Sequence, residues 1–128
     1  MASSEVVIRA RKFQQNPLLG RRQFVVDAFH QGGATVSRNQ MRKLIANKFS
    51  CPEENVIAFG LRTKFGGGLT TGYGLIYDSV DTLKKFESTV TLVKNGLKEK
   101  LKKKGRRLKK EEKNKKKKLF GVKKEKKN

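Results

Sequence analysis

The sequence predicts an α+β fold in which helices pack on an antiparallel sheet and a basic C-terminal extension follows. Four segments have the alternation or the β-branched composition of strands, and two segments have helical spacing. Their order along the chain is strand, strand, helix, strand, strand, helix. This order lacks the strand–helix–strand alternation of a parallel nucleotide-binding sheet, so it favours antiparallel pairing.

The charge distribution divides the chain near residue 94. The 128 residues indicate one domain, and the formal net charge is +21. Residues 94–128 hold 19 Lys and Arg against 4 Glu, which gives +15, and residues 1–93 hold 13 against 7, which gives +6. We therefore predict an RNA-binding α+β domain at residues 1–96 and a Lys-rich tail at residues 97–128. Because the like charges of the tail repel, we expect it to be ordered only on RNA.

The first two predicted strands are residues 5–13 and residues 21–30. The first alternates an apolar face with a polar, basic one. Pro17 and Gly20 supply the fixed φ and the positive φ of a turn between the strands. The second strand is apolar on both faces, which places it in the interior of the sheet.

Residues 38–49 are predicted to form the first helix. Ser37 and Gln40 fit a capping box at its start, and Pro52 follows its end. Apolar side chains recur at helical spacing along it: Met41, Leu44, Ile45 and Phe49. A short second helix is predicted after residue 79. A further short segment, residues 89–95, follows this helix and ends before Gly96.

Residues 56–78 form the central predicted hairpin. Strict alternation places one set of side chains on one side of its first strand: Ile57, Phe59, Leu61, Thr63 and Phe65. The other side carries Val56, Ala58, Gly60, Arg62 and Lys64. Gly66, Gly67 and Gly68 close the hairpin because glycine accepts positive φ, and they leave backbone amides open to an anionic surface.

Composition and motif spacing disfavour several classes of function. A protein this basic needs a polyanion, and nucleic acid is the default; an anionic membrane would require an amphipathic helix with a broad apolar face, which the tail lacks. Cys51 is the only cysteine, so there is no internal disulfide and no zinc finger. His30 has no neighbouring catalytic partners by spacing, and no metal-ligand cluster is present. Gly67 and Gly72 have P-loop separation, but Tyr73 stands where a P-loop requires lysine. We expect no enzyme activity, no cofactor, no metal and no hydrophobic signal segment.

RNA binding explains the basic side chains best. Arg9, Arg11 and Lys12 end the first strand, and Arg21 and Arg22 begin the second, so pairing across the turn is expected to cluster them at one end of the sheet. Phe13 lies among them in sequence and is a candidate for stacking on a base. The alternative is a solvated basic edge that prevents strand aggregation. In the tail the candidate phosphate ligands are Lys103, Arg106, Arg107, Lys110 and Lys116, and the same runs resemble nuclear import signals.

One motif carries a family resemblance. The stretch Phe65-Gly-Gly-Gly-Leu-Thr-Thr-Gly72, with its Ile-Tyr-Asp ending at Asp78, resembles the small ribosomal subunit protein twenty-four family of eukaryotes and archaea. Matches at residues 7–13, 16–22, 34–36 and 56–63 agree with it. The resemblance implies a four-stranded antiparallel sheet with flanking helices and a structural, RNA-binding role in the small subunit. It places RNA contacts at Arg9, Arg11, Lys12, Arg21, Arg22, Arg62, Lys64 and Gly66 to Gly68.

The expected function is that of a non-enzymatic ribosomal protein that binds small-subunit ribosomal RNA and neighbouring small-subunit proteins. The resemblance also implies participation in small-subunit assembly, which takes place in the nucleolus if the source is eukaryotic. The assembled protein is then expected to function on ribosomes in the cytosol. We expect no membrane partner, no small-molecule substrate and no homo-oligomer. The two alternatives are a free basic nucleic-acid chaperone and a small enzyme that uses the glycine loop on a phosphorylated ligand.

Overall fold

A computed structural model describes residues 5–119 and contains a four-stranded antiparallel sheet with helices, as predicted. The strands are β1 (Val7–Asn16), β2 (Arg21–Phe29), β3 (Val56–Thr63) and β4 (Leu69–Tyr77), and their order in the sheet is β1-β2-β4-β3. The helices are α1 (Arg38–Phe49), α2 (Val80–Phe86), α3 (Thr89–Lys94) and α4 (Arg106–Lys118). A single 3-10 turn spans Glu53–Asn55. The contacts divide the chain after Lys98, so α4 belongs to a second unit.

The first face of the sheet packs on α1. Phe24, Val26 and Ala28 point to this face at alternate positions of β2, and all three are buried. They form one core cluster with Met41 and Ile45 of α1. The same cluster contains Val56 and Ala58 of β3 and Ile76 of β4. The apolar content of both β2 faces correctly predicted that this strand lies inside the sheet.

Local hydrogen bonds fix the ends of α1 as the sequence predicted. The backbone N–H of Gln40 donates to Ser37 Oγ at 3.3 Å, and the backbone N–H of Ser37 donates to Gln40 Oε1 at 3.1 Å. The buried Arg42 then ties the helix to the start of β3. Its Nε donates to the Val56 carbonyl at 2.9 Å, and its Nη2 donates to the Glu53 carbonyl at 2.9 Å.

Within residues 5–98, two short helices cover one end of the second face of the sheet. Ile57, Leu75 and Tyr77 form a smaller core cluster there with Leu83 of α2 and Leu92 of α3. Ser79 and Ser88 cap these two short helices, since each hydroxyl accepts a hydrogen bond from a backbone N–H three residues later. The short helix predicted after residue 79 is therefore present, and the stretch predicted at residues 89–95 contains a further helix, α3.

A bulge in β3 overturns the strict alternation predicted for this strand. The register with β4 shifts between Phe59 and Arg62, and Gly60 has φ +64°. One residue is inserted, so every side chain after the bulge changes face. Leu61 consequently packs on the first core with Val56 and Ala58, and Arg62 moves to the face that carries Phe59. The predicted grouping of Leu61 with Phe59 is wrong.

A second bulge has the same effect in β1. The register with β2 shifts between Arg11 and Gln14, and Lys12 has φ +53°, which is unusual for a residue with a side chain. The inserted residue turns Phe13 to the first face. There its ring stacks on Phe24 and Phe49, with centroids 5.6 and 5.8 Å away. Phe13 therefore lies on the α1 side of the sheet, and its ring is still 48% exposed, so its stacking on a base stays a prediction.

Candidate nucleic-acid interface

The candidate interface is the part of the second sheet face that α2 and α3 leave open. The strand register places side chains there in two rows that cross all four strands. The first row is Arg11, Val25, Tyr73 and Phe59, and the second row is Arg9, Asp27, Thr71 and Arg62. We call these eight residues the open face. It joins a pair of aromatic rings to three arginines, a combination that suits nucleic acid.

Asp27 is the single acidic residue of the open face, and it is almost fully buried. Arg11 Nε donates to Asp27 Oδ2 at 2.7 Å, and Arg11 Nη2 and Thr71 Oγ1 donate to Oδ1 at 3.3 and 2.9 Å. The hydrogen bond from Arg11 is the main cause that holds the pKa of Asp27 below its usual value, since it stabilises the carboxylate. One of the three arginines is thus committed to neutralising this acid.

Arg21 is also committed within the domain. Its Nη1 donates to Tyr77 Oη at 3.0 Å and lies 3.9 Å from Glu87 Oε1, and Tyr77 Oη donates to the same Glu87 oxygen at 2.5 Å. Burial is the main cause that raises the pKa of Tyr77 to about 12, so its hydroxyl remains a donor at physiological pH. This network joins β2 and β4 to the segment between α2 and α3.

The register separates the arginines that were predicted to cluster. Asn16 pairs with Arg21 and Gln15 pairs with Arg22, whereas Arg9 pairs with Asp27. Arg21 and Asp27 are six positions apart along β2, which is about 20 Å of strand. Arg22 also alternates onto the α1 face with Phe24. The five predicted basic residues therefore do not form one cluster, and only Arg9, Arg11 and Lys12 remain near one another.

The glycine loop joins β3 and β4 as predicted. Lys64 N–H donates to the Leu69 carbonyl at 2.9 Å, and Gly67 N–H donates back to the Lys64 carbonyl at 3.0 Å. Gly66, Gly67 and Gly68 all have φ between +77° and +90°, so only glycine fits without strain. The Gly67 amide is therefore not open to a ligand, contrary to expectation. Phe65 next to the glycines is fully exposed.

The second unit carries the predicted tail residues on one exposed helix and the segment before it. Lys103 precedes α4, and every residue of α4 is exposed. Arg106, Arg107 and Lys110 line one shallow groove of the helix, and Lys116 lines another with Lys109 and Lys113. Arg107 Nε lies 3.0 Å from Glu111 Oε1, and Lys104 pairs with Glu112. The helix leaves most of its cations facing solvent.

His30 is buried, and its Nε2 lies 2.7 Å from Thr70 Oγ1, so it is a packing residue. Within residues 5–119 there is no group of three or more His, Cys, Asp or Glu that would hold a metal ion. Over the same residues, none of the helices combines the length and the apolar character needed to cross a bilayer. The glycine loop closes a hairpin and does not lead from a strand into a helix, as a P-loop would.

Phe59 and Tyr73 are exposed aromatic residues of the open face that were not among the contacts predicted from the sequence. Their rings stack with centroids 5.4 Å apart and an interplanar angle of 25°, and they are 45% and 52% exposed. An available signal was that both strands of the central hairpin carry an aromatic residue. Their direct opposition depends on the β3 register, which the sequence pattern did not supply.

These features define the class of the protein. A small α+β domain with an arginine-bearing sheet face, together with a separate lysine-rich helix, is the organisation of a basic nucleic-acid-binding protein. Comparison with known proteins gives the family. The model of the family described as ribosomal protein S24e matches residues 6–96.

Named relatives agree with this match. The small ribosomal subunit proteins eS24A and eS24B of Saccharomyces cerevisiae are each 48% identical to the chain over 120 residues, covering 94% of this chain and 89% of theirs. The small ribosomal subunit protein eS24A of Schizosaccharomyces pombe is 47% identical over 120 residues, covering 94% and 90%. The chain belongs to the ribosomal protein S24e family, which confirms the resemblance seen in its sequence.

Proposed function

We infer that the protein is a structural component of the small ribosomal subunit that binds and stabilises ribosomal RNA. The observation that carries this inference is the family match over residues 6–96, which spans the whole sheet domain. Relatives that are 47–48% identical bear the name of small ribosomal subunit proteins. The free chaperone is the less favoured reading because it leaves this match unexplained.

The sheet domain would contact RNA mainly through cations that have no acidic partner of their own. Within residues 5–119, Arg9, Lys12 and Arg62 make no salt bridge, and all three are exposed. Lys64 and the glycine loop extend this surface at the hairpin end, where a helical RNA backbone can approach closely. Arg11 and Arg21 keep part of their donor capacity for internal partners. Arg22 would contact RNA from the α1 face of the sheet.

The tail would bind RNA by neutralising phosphates. Lys103, Arg106, Arg107, Lys110 and Lys116 belong to a segment that holds +15 of the +21 total charge when counted from residue 94. A helix of this composition has no apolar face to bury, so contact with phosphates is what would stabilise it. The ordering of residues 97–128 on RNA therefore remains part of the proposal.

The remaining expectations follow from a structural role in a large particle. The partners would be small-subunit ribosomal RNA and neighbouring small-subunit proteins, with no membrane, small-molecule substrate or homo-oligomer. The protein would be non-enzymatic and would need no cofactor. It would work on cytoplasmic ribosomes, and in a eukaryote it would join assembling subunits in the nucleolus.

The test combines particle binding with salt dependence. A tagged full-length chain should sediment with small subunits and remain bound at high salt. Sedimentation apart from ribosomes, together with equal affinity for duplex DNA and ribosomal RNA, would favour the free chaperone.

The salt dependence tests the tail separately. Replacing Lys115, Lys116 and Lys117 with Gln removes up to three phosphate contacts, so the slope of log affinity against log salt should fall by about 2 to 3. The matched control replaces Lys43, Lys84 and Lys85 with Gln, which removes the same charge from exposed positions of α1 and α2. Equal slopes for the two variants would show that RNA affinity depends only on net charge, which would contradict specific phosphate contacts by the tail.

A further inference from the structure

The aromatic pair of the open face is not explained by the packing of the domain. Phe59 and Tyr73 belong to neither core cluster, yet they lie side by side on adjacent strands with about half of each ring exposed. Gly60 makes room for this arrangement, because a Cβ at this position would lie 3.1 Å from Tyr73 Cδ2. The β3 bulge that Gly60 forms therefore also positions an exposed aromatic surface.

A cavity of about 590 Å³ opens beside the two rings. Phe59 and Tyr73 line it together with Gln14, Gln23 and Lys12, and it reaches Thr91 of α3. Its volume is in the range of small-ligand sites, which are about 300–1,000 Å³. An apolar wall beside side-chain amides is the chemistry that holds a base by its face and by its edge.

The polar groups of the cavity can reach the edge of such a base. Gln23 Nε2 donates to Gln14 Oε1 at 3.3 Å, and Gln23 Oε1 accepts from Arg21 Nε at 3.3 Å. These two bonds leave the Gln14 amide nitrogen as a donor toward the cavity, since no partner for it lies within residues 5–119. Lys12 lines the same cavity, and the β1 bulge at φ +53° holds its backbone there.

The charge around the rings favours RNA over a protein partner. Arg9, Arg11 and Arg62 lie in the same two rows of the face, and Asp27 offsets only one of them. The three arginines against one aspartate give the face a net charge of +2, which suits a polyanion. Base stacking on aromatic rings beside a basic track is typical of single-stranded nucleic acid binding. A polyanion with exposed bases therefore fits this face.

We propose that the open face is a binding site for unpaired nucleotides of RNA, with Phe59 and Tyr73 as the stacking platform. One base stacks on the exposed rings, its edge meets Gln14, and the adjoining phosphates approach Lys12, Arg9 and Arg62. This deepens the ribosomal RNA binding proposed above and rests on it. It assigns the sheet face to single-stranded or bulged segments, whereas the tail acts on phosphates of any RNA.

The absence of tryptophan from the chain permits a direct test of stacking. Tyr73→Trp introduces a single tryptophan into the platform, and its fluorescence can be excited selectively at the red edge, where tyrosine absorbs little. A single-stranded oligouridylate or oligoadenylate of eight nucleotides should quench it, and a blunt RNA duplex of the same length should not. Equal quenching by both RNAs would overturn the proposal, since backbone contacts alone would then explain it.

Affinity measurements on the full-length chain complete the test. Phe59→Leu with Tyr73→Leu should weaken binding of the single strand at least about fivefold, and up to about 150-fold, because stacking on each base is lost. Duplex affinity should stay unchanged. The matched control is Phe86→Leu, the same change at an exposed ring of α2 outside the platform, and it should alter neither affinity. Circular dichroism confirms that the variants are folded.

The remaining outcomes separate this inference from the proposed function. If the unmodified chain binds neither RNA, the ribosomal RNA-binding proposal itself fails. If it binds both and the platform variants match Phe86→Leu, the platform alone is overturned. If those variants bind RNA normally but fail to join small subunits, the open face is a protein contact, which also overturns the inference.

Discussion

Gly74 of β4 offers a sharp test of how the first face of the sheet is packed. It lies opposite Phe24 in the strand register, and the Phe24 ring lies directly over it. A Cβ at Gly74 would stand 2.6 Å from Phe24 Cε2 and 2.7 Å from Cζ. The backbone of Gly74 is not at positive φ, so the cost of Gly74→Ala is steric and not conformational.

The magnitude follows from how little the Phe24 ring can move. Ordinary contact at 3.4 Å would require the ring to shift by about 0.8 Å. Phe24 is buried against Phe13 and Phe49, whose ring centroids are 5.6 and 5.1 Å away. Overpacking of such a site typically costs about 1–3 kcal/mol. For a domain of this size, each kcal/mol lowers the melting temperature by about 4–8 °C.

Urea unfolding followed by circular dichroism measures this cost. Phe24→Leu shortens the clashing side chain, so Gly74→Ala combined with Phe24→Leu should be less destabilised than the sum of the single variants. The coupling should be about 0.5–3 kcal/mol. Gly105→Ala is the matched control, because it adds the same methyl group where no atom lies within 4 Å. A neutral Gly74→Ala variant, or strict additivity with Phe24→Leu, would refute the packing described here.

Two further expectations concern pH. Asp27 has a pKa below its ordinary value of 3.8, so its stabilising effect is full above that pH and is lost as the pH falls through the lowered pKa. Asp27→Asn should therefore lower the free energy of unfolding at pH 7. Urea titrations should also show that this free energy declines less below about pH 4 than in the unmodified protein, and an equal decline in both would contradict the role of Asp27. Tyr77 has a pKa raised from 10.0 to about 12, so its contribution is full below pH 10 and is lost between pH 10 and 12. Tyr77→Phe should remove the hydrogen bond to Glu87, so the free energy of unfolding should fall less steeply between pH 10 and 12 than in the unmodified protein. An equally steep fall in both proteins would count against the network of Arg21, Tyr77 and Glu87.

The candidate site was only partly accessible from the sequence. Arg9, Lys12 and Arg62 were identified as basic residues near strand ends, and the structure leaves all three exposed without a salt bridge within residues 5–119. The commitment of Arg11 to Asp27 was not foreseen, because an ion pair between residues 16 apart depends on the strand register. The platform of Phe59 and Tyr73 depends on register in the same way.

The sequence by itself determined the order of the four strands, α1 and α2, the antiparallel fold class, the capping of α1 and the family. These depend on local chemistry: hydrophobic periodicity, cap residues and turn residues act within a few positions of the chain. Only the tertiary structure decided which face each side chain occupies, because the alternation of a strand has period two and one inserted residue reverses it. The bulges at Lys12 and Gly60 turned Phe13 to the α1 face of the sheet and brought Arg62 beside Phe59 on the open face.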